Sequence, residues 1–208
     1  ILPPSLASEA DFRQRFEREA RSVAALRHSN IVQMFDFGDV DGVYYMVMEY
    51  IPGTDLSQHM SQFERLPLDQ TLAIARDVAD ALDYAHAQEL VHRDIKPSNV
   101  LLQFTAHGAD EDQERARAFL TDFGIAKILT SETGATLTGT MMGTLDYMAP
   151  EQIRVSRKVD GRADVYALGV MLYQMLTGEL PFKGNHPSTV MLGHLQDPPP
   201  DPRALAPQ

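Results

Sequence analysis

From Ala163 to Leu176 the sequence carries almost no polar side chain, so a helix drawn through it is apolar nearly all round. Such a helix must be packed on every side. Gly178 and then Pro181 stop it in the usual C-terminal manner. Its most apolar stretch, Ala167–Leu176, is too short to span a bilayer, which takes about 20 residues. The cover must come from the rest of the chain. The 208 residues, 44% of them hydrophobic, are enough to supply it as one large domain or two small lobes.

A formal net charge of −11 argues against a nucleic-acid binder and against contact of this segment with an anionic membrane. With no cysteine, disulfides and thiolate metal sites are excluded, and the composition suits a reducing cytoplasm. Ile1–Pro4 has no Met and reads as the tail of a strand, while Asp197–Gln208 reads as a proline-rich loop. Both ends are expected to be cuts through a domain.

Ser8 with Asp11 three residues on reads as a helix start. The helix after it sets Phe12, Phe16, Glu19, Val23 and Leu26 on one stripe, which places the Glu19 carboxylate among apolar residues, where it needs a partner. Strands are expected at Ile31–Phe37 and Val43–Tyr50, with a turn at Gly38–Gly42 and a break at Pro52-Gly53. A long helix is expected from about Leu68 to Gln88, its inner face formed by Leu72, Ala75, Ala79, Leu82 and His86. The charged stretch Gly108–Arg117 reads as a solvated loop or short exposed helix.

The chemistry is concentrated in His92-Arg93-Asp94-Ile95-Lys96-Pro97-Ser98-Asn99. An aspartate can orient a hydroxyl or accept its proton. A lysine two residues on can neutralise a phosphoryl group in transfer, and an asparagine five residues beyond the aspartate can hold a metal through its carbonyl oxygen. Asp122-Phe123-Gly124 follows, then Gly143-Thr144-Leu145-Asp146-Tyr147-Met148-Ala149-Pro150-Glu151, and then Asp164 at the start of the apolar helix. In this order the segments resemble the catalytic loop, metal-binding motif and activation-segment end of protein kinases, and most closely the bacterial Hanks-type serine/threonine kinases.

The resemblance implies an α+β, two-lobed kinase-like fold lacking the first strands of the small lobe and the last helices of the large one. Residues 1–208 would form a partial kinase domain: 1–50 the remnant of the small lobe with its helix and last two strands, and 51–208 a partial helical large lobe. It implies transfer of the γ-phosphate of ATP to Ser/Thr hydroxyls of proteins in signalling, with ATP and Mg²⁺, or Mn²⁺ in its place, as cofactors. Asp94, Lys96 and Asn99 would be catalytic, and Asn99 and Asp122 would bind the metal. Glu19 would pair with the ATP-anchoring lysine, Met48 would stand before the hinge, Glu49 and Ile51 would lie in the hinge that bonds adenine, Asp55 would lie near the ribose, and Leu101 would floor the adenine pocket. Val23, Met34, His92 and Phe123 would form an apolar spine. Arg93 would pair with phosphate on Thr136 or Thr138, with self-association serving autophosphorylation. Thr144, Glu151 and Asp164 would support the acceptor-binding segment. The domain is expected in the cytoplasm, with any membrane anchor elsewhere in the parent.

No glycine-rich phosphate loop and no strand lysine of the kinase pattern occur in residues 1–208, so this segment alone is expected to be inactive. The stretch from Asn99 to Asp122 is longer than usual, and its extra residues, Thr105–Arg117, are expected on the back of the large lobe. Two other classes fit part of the pattern. An inert scaffold is free to lose Asp94, Lys96, Asn99 and Asp122, which are all present. A small-molecule phosphotransferase shares the catalytic loop but is less suited to Asp122-Phe123-Gly124 and the Ala149-Pro150-Glu151 segment.

Overall fold

The computed structural model describes residues 17–18, 20–40, 43–106, 114–123, 142–154 and 159–206. A helical segment over residues 20–24 (α1) leads into an antiparallel hairpin of β1 (Met34–Val40) and β2 (Val43–Met48). The hairpin's register runs from Met34 opposite Met48 to Val40 opposite Val43, with one irregularity between Met34 and Asp36. Gly38 lies inside β1, not in the turn expected from the sequence. It faces Tyr45, whose hydroxyl stands 2.7 Å from where a Cβ would be, so a close-packed ring explains the glycine.

A second sheet has the order β3 (Thr54–Asp55), β4 (Val100–Ala106), β5 (Glu114–Leu120), all antiparallel. Here the charged stretch is a strand from Glu114 onward, not a loop or helix. The alternation explains it: Ala116 and Ala118 are buried while Arg117 between them is exposed, a period of two hidden behind charged composition. Arg117 lies over the Phe119 ring and donates to the Ser29 carbonyl at 2.8 Å.

The helices are α2 (Leu56–Met60), α3 (Leu68–Ala87), α4 (Met142–Leu145), α5 (Pro150–Ile153), α6 (Arg162–Thr177) and α7 (Pro187–Gln196). α3 packs on β5 and α6 through Thr71, Ile74, Val78, Ala81, Leu82 and Ala85. Leu82 belongs to the expected face, but the rest of the buried stripe lies one position away from it. Leu72 is exposed, because the stripe through Ile74 and Val78 buries more apolar surface than one through Leu72, Ala75 and Ala79. α3 ends in a Schellman turn, with Leu90 N–H donating to Ala85 O and Glu89 N–H to His86 O, and Glu89 takes a positive φ of 59°.

α6 is largely buried, as its composition demands, through Ala163, Asp164, Ala167, Val170, Met171, Met175 and Thr177, although Val165 faces outward. Gly178 ends it at φ 76°, where a Cβ would stand 2.0 Å from Glu64 O. One apolar cluster joins Val23 and Met34 to Leu56, Ile74, Leu102, Phe123, Met171 and Met175, and so spans the lobe boundary expected at residue 50. Each fully buried Leu, Ile or Met in it contributes about 1.5–3 kcal/mol. None of the described helices is long and apolar enough to cross a membrane.

Candidate active site

The loop between α3 and β4 is anchored from below by one carboxylate. Asp164, at the start of α6, is fully buried and accepts from His92 N–H at 2.8 Å and Arg93 N–H at 2.7 Å. His86 Nε2 lies 2.8 Å from its Oδ2. Gly161 makes room for that ring, since a Cβ there would stand 2.7 Å from His86 Cε1. Arg93 is held at φ 67°, a left-handed conformation that costs a non-glycine residue about 1–2 kcal/mol. Gln152 on α5 closes the other side, donating to Arg93 O at 2.9 Å while accepting from Ala149 N–H.

His92, fully buried, ties the loop to the strand end. Its Nε2 lies 2.9 Å from Thr121 O and its Nδ1 accepts from Asp94 N–H at 3.2 Å. These partners require the neutral ring with the proton on Nε2. Burial lowers the His92 pKa, against the opposing pull of Asp164, the Thr121 carbonyl, Asp94 and Asp122. The ring also packs on Phe123 with centroids 4.6 Å apart.

Above this base the polar side chains converge. Lys96 Nζ donates to Asp94 Oδ2 at 2.9 Å and to Thr144 Oγ1 at 3.0 Å. Asn99 Nδ2 donates to Asp94 O at 2.8 Å and Oδ2 at 3.2 Å, which fixes which end of its amide is the carbonyl. Thr121 N–H donates to Asn99 O, bringing Asp122 beside the loop at φ 58°. Asp122 is at the cleft surface, yet loss of water around its carboxyl raises its pKa. Asp94 adds to the rise, while His92 and Lys96 oppose it.

The structure brings together Asp94, Lys96, Asn99, Asp122, Thr144 and Asp164. Val23, Met34 and Phe123 share one core, with the His92 ring packed at a tilt against Phe123. Met48 ends β2. Glu49 N–H donates to Gln33 O at 2.8 Å, and its side chain accepts from Gln33 N–H at 3.3 Å. Ile51 and Leu101 share a small cluster with Val32 and Phe119, and the Ile51 N–H makes no hydrogen bond among the described residues. Asp55 caps α2, accepting from Gln58 N–H at 2.9 Å. Glu151 lies on α5, close enough for its charge to act on Arg162 and Tyr166. Glu19, Thr136 and Thr138 lie outside the described residues. Sequence reasoning missed the anchoring role of His86 and the brace from Gln152. His86 showed only as an inner-face residue of α3, and Gln152 gave no signal.

A family profile described as the protein kinase domain matches residues 5–198, and the chain belongs to that family. It is 38% identical over 196 residues to the serine/threonine-protein kinase PrkC of Bacillus subtilis, covering 94% of this chain and 28% of that protein. It is also 38% identical over 202 residues to the serine/threonine-protein kinase PknF of Mycobacterium tuberculosis, covering 96% and 41%. The chain thus spans well under half the length of these curated relatives. Among solved structures, the kinase domain of Mycobacterium tuberculosis PknI matches with a TM-score of 0.69 at 35% identity, over 99% of this chain and 68% of that one.

Proposed function

We propose that this domain serves a protein that transfers the γ-phosphate of ATP to serine or threonine hydroxyls of proteins. The observation that carries the reading is the bonded set Asp94, Lys96, Thr144 and Asn99, with Asp122 beside it. Asp94 orients the acceptor hydroxyl and takes its proton. Lys96, already bound to Asp94, offsets the charge that develops on the transferring group, and its contact with Thr144 sets the acceptor segment at the right distance.

The donor set fits a divalent cation. Among the described residues no group of three His, Cys, Asp or Glu side chains forms a metal cage. One carboxylate and one carboxamide oxygen instead suit a hard ion that takes its other ligands from phosphates and water. Asp122 and the Asn99 carbonyl would hold it, and the raised Asp122 pKa marks a carboxylate that gains from a cation. Magnesium, or manganese in its place, would supply charge neutralisation at the phosphates. The unbonded Ile51 N–H fits hydrogen bonding to adenine, with Met48, Glu49 and Leu101 around the base and Asp55 near the ribose.

We assign the residues up to 50 to a small lobe and those from 51 to a large lobe, with Glu19 as the partner of an ATP-anchoring lysine. Arg93 would receive phosphate from Thr136 or Thr138 after self-association. The domain would work in the cytoplasm. The test gives the full protein that carries this domain radiolabelled ATP with a protein acceptor and, separately, a small aminoglycoside or choline-like alcohol. Label on the protein that disappears with Asp94→Ala supports the reading. Label on the small alcohol alone, or none on either, overturns it.

A further inference from the structure

α7 packs against both short helices, α4 and α5, that flank the acceptor segment, and meets α6 where His194 touches Tyr166. The polar residue buried in this contact is His194, 4% exposed. Its Nδ1 lies 2.8 Å from the Tyr166 hydroxyl on α6, and its ring meets the Phe182 ring edge-on with centroids 4.8 Å apart. Phe182 in turn packs directly over Gly193. His194 therefore cannot slide or turn without moving α6 or Phe182.

Its second nitrogen is unspent. Nε2 is buried and makes no hydrogen bond among the described residues, while the backbone of Asp146 acts on the ring from the acceptor segment. A buried polar atom left over beside a segment that must receive a ligand has a definite use. It can bond once that segment settles onto the ligand. Tyr166 lies two residues beyond Asp164, which holds the catalytic loop. The ring therefore links the element that anchors Asp94 to the segment that carries Thr144.

We infer that His194 is a positioning residue for peptide acceptors, its Nε2 holding the Asp146 region of the acceptor segment in register with Asp94 through Tyr166 and α6. The inference rests on the kinase reading above. The groups facing the ring are Tyr166 from α6, Asp146 from the acceptor segment, Glu151 on α5 acting on Tyr166, and Asp197 at the end of α7. Burial, opposed by the Asp146 backbone, lowers the His194 pKa, so the working form is the neutral ring. The Tyr166 hydroxyl, which can donate or accept, then meets Nδ1 as the acceptor and leaves Nε2–H to donate towards the acceptor segment.

The experiment compares wild type, His194→Phe, His194→Gln and Tyr166→Phe in the protein that carries this domain, with peptide and ATP varied separately. His194→Phe should raise the peptide KM roughly tenfold, the equivalent of one hydrogen bond, and leave the ATP KM within about twofold. His194→Gln, which retains a donor, should recover most of the loss. Should His194→Phe fail to fold, Tyr166→Phe, which removes only the hydroxyl, carries the same expectation. An unchanged peptide KM in these variants, or peptide and ATP KM values that rise together, overturns the inference while the kinase reading stands. Absence of transfer in wild type itself defeats the kinase reading, and the inference with it.

Discussion

Replacing Asp164 by alanine tests whether one buried carboxylate holds the catalytic loop in its strained shape. The substitution strips two backbone N–H groups, the buried one of His92 and the partly buried one of Arg93, of their acceptor, and removes the partner of His86. Hydrogen bonds to a charged group are worth about 1.5–3 kcal/mol each, so the two backbone bonds together represent about 3–6 kcal/mol. Freed from its anchor, Arg93 can leave φ 67° and recover about 1–2 kcal/mol. The net loss is then about 1–5 kcal/mol, which for a domain of this size lowers Tm by about 2–20 °C. Relaxation at Arg93 also displaces the next residue, Asp94, so phosphotransfer should fall by at least about a hundredfold, as expected when a reacting group is misplaced by an ångström. Thermal melts and single-turnover transfer with radiolabelled ATP, both in the full protein that carries this domain, read the two effects. A variant that melts within about 2 °C of wild type and keeps its rate would refute the anchoring argument.

Lys96→Met should lower kcat by about 10²–10³-fold with an ATP KM changed less than about threefold, because the lysine acts on developing charge and not on ground-state binding; steady-state kinetics decides this. Asp122 has a raised folded pKa, so the folded protein holds that proton more tightly than the unfolded chain. Stability should therefore fall as pH rises from the ordinary carboxylate range through the raised value. Asp122→Asn should remove that slope in metal-free melts and abolish the extra stabilisation by Mg²⁺ with ATP, and a retained slope would show that another group is responsible. Gly178→Ala places a Cβ 2.0 Å from Glu64 O at a φ of 76° and should cost at least about 2 kcal/mol, read as a lowered midpoint in denaturant.

The convergence of the polar loop residues was legible because they are contiguous: Asp94, Lys96 and Asn99 lie within six residues, and the short loop alone brings them to bond one another. The burial of α6 was legible because an apolar helix leaves little choice. The pairing of His86 with Asp164 was not, since the two are 78 positions apart and only the packing of α3 on α6 joins them. The inner face of α3 was misread because Leu72 outweighs its neighbours as a single residue, whereas burial rewards the whole stripe through Ile74 and Val78. β5 was misread because Arg115 and Arg117 dominated composition while the decisive signal was the alternation of alanines on the opposite face. Gly38 passed for a turn residue because the sequence does not show the Tyr45 ring lying across it.

The two bonds of His92 leave room for a single protonation state. Adding a proton to Nδ1 would set a donor against the Asp94 N–H, at the centre of the loop and away from solvent. Because the folded pKa is depressed, stability is lost as pH falls below the ordinary histidine value of 6.5. The acid limit of this domain is therefore built into its scaffold as much as into its chemistry. It would persist in a variant whose reacting groups had all been replaced.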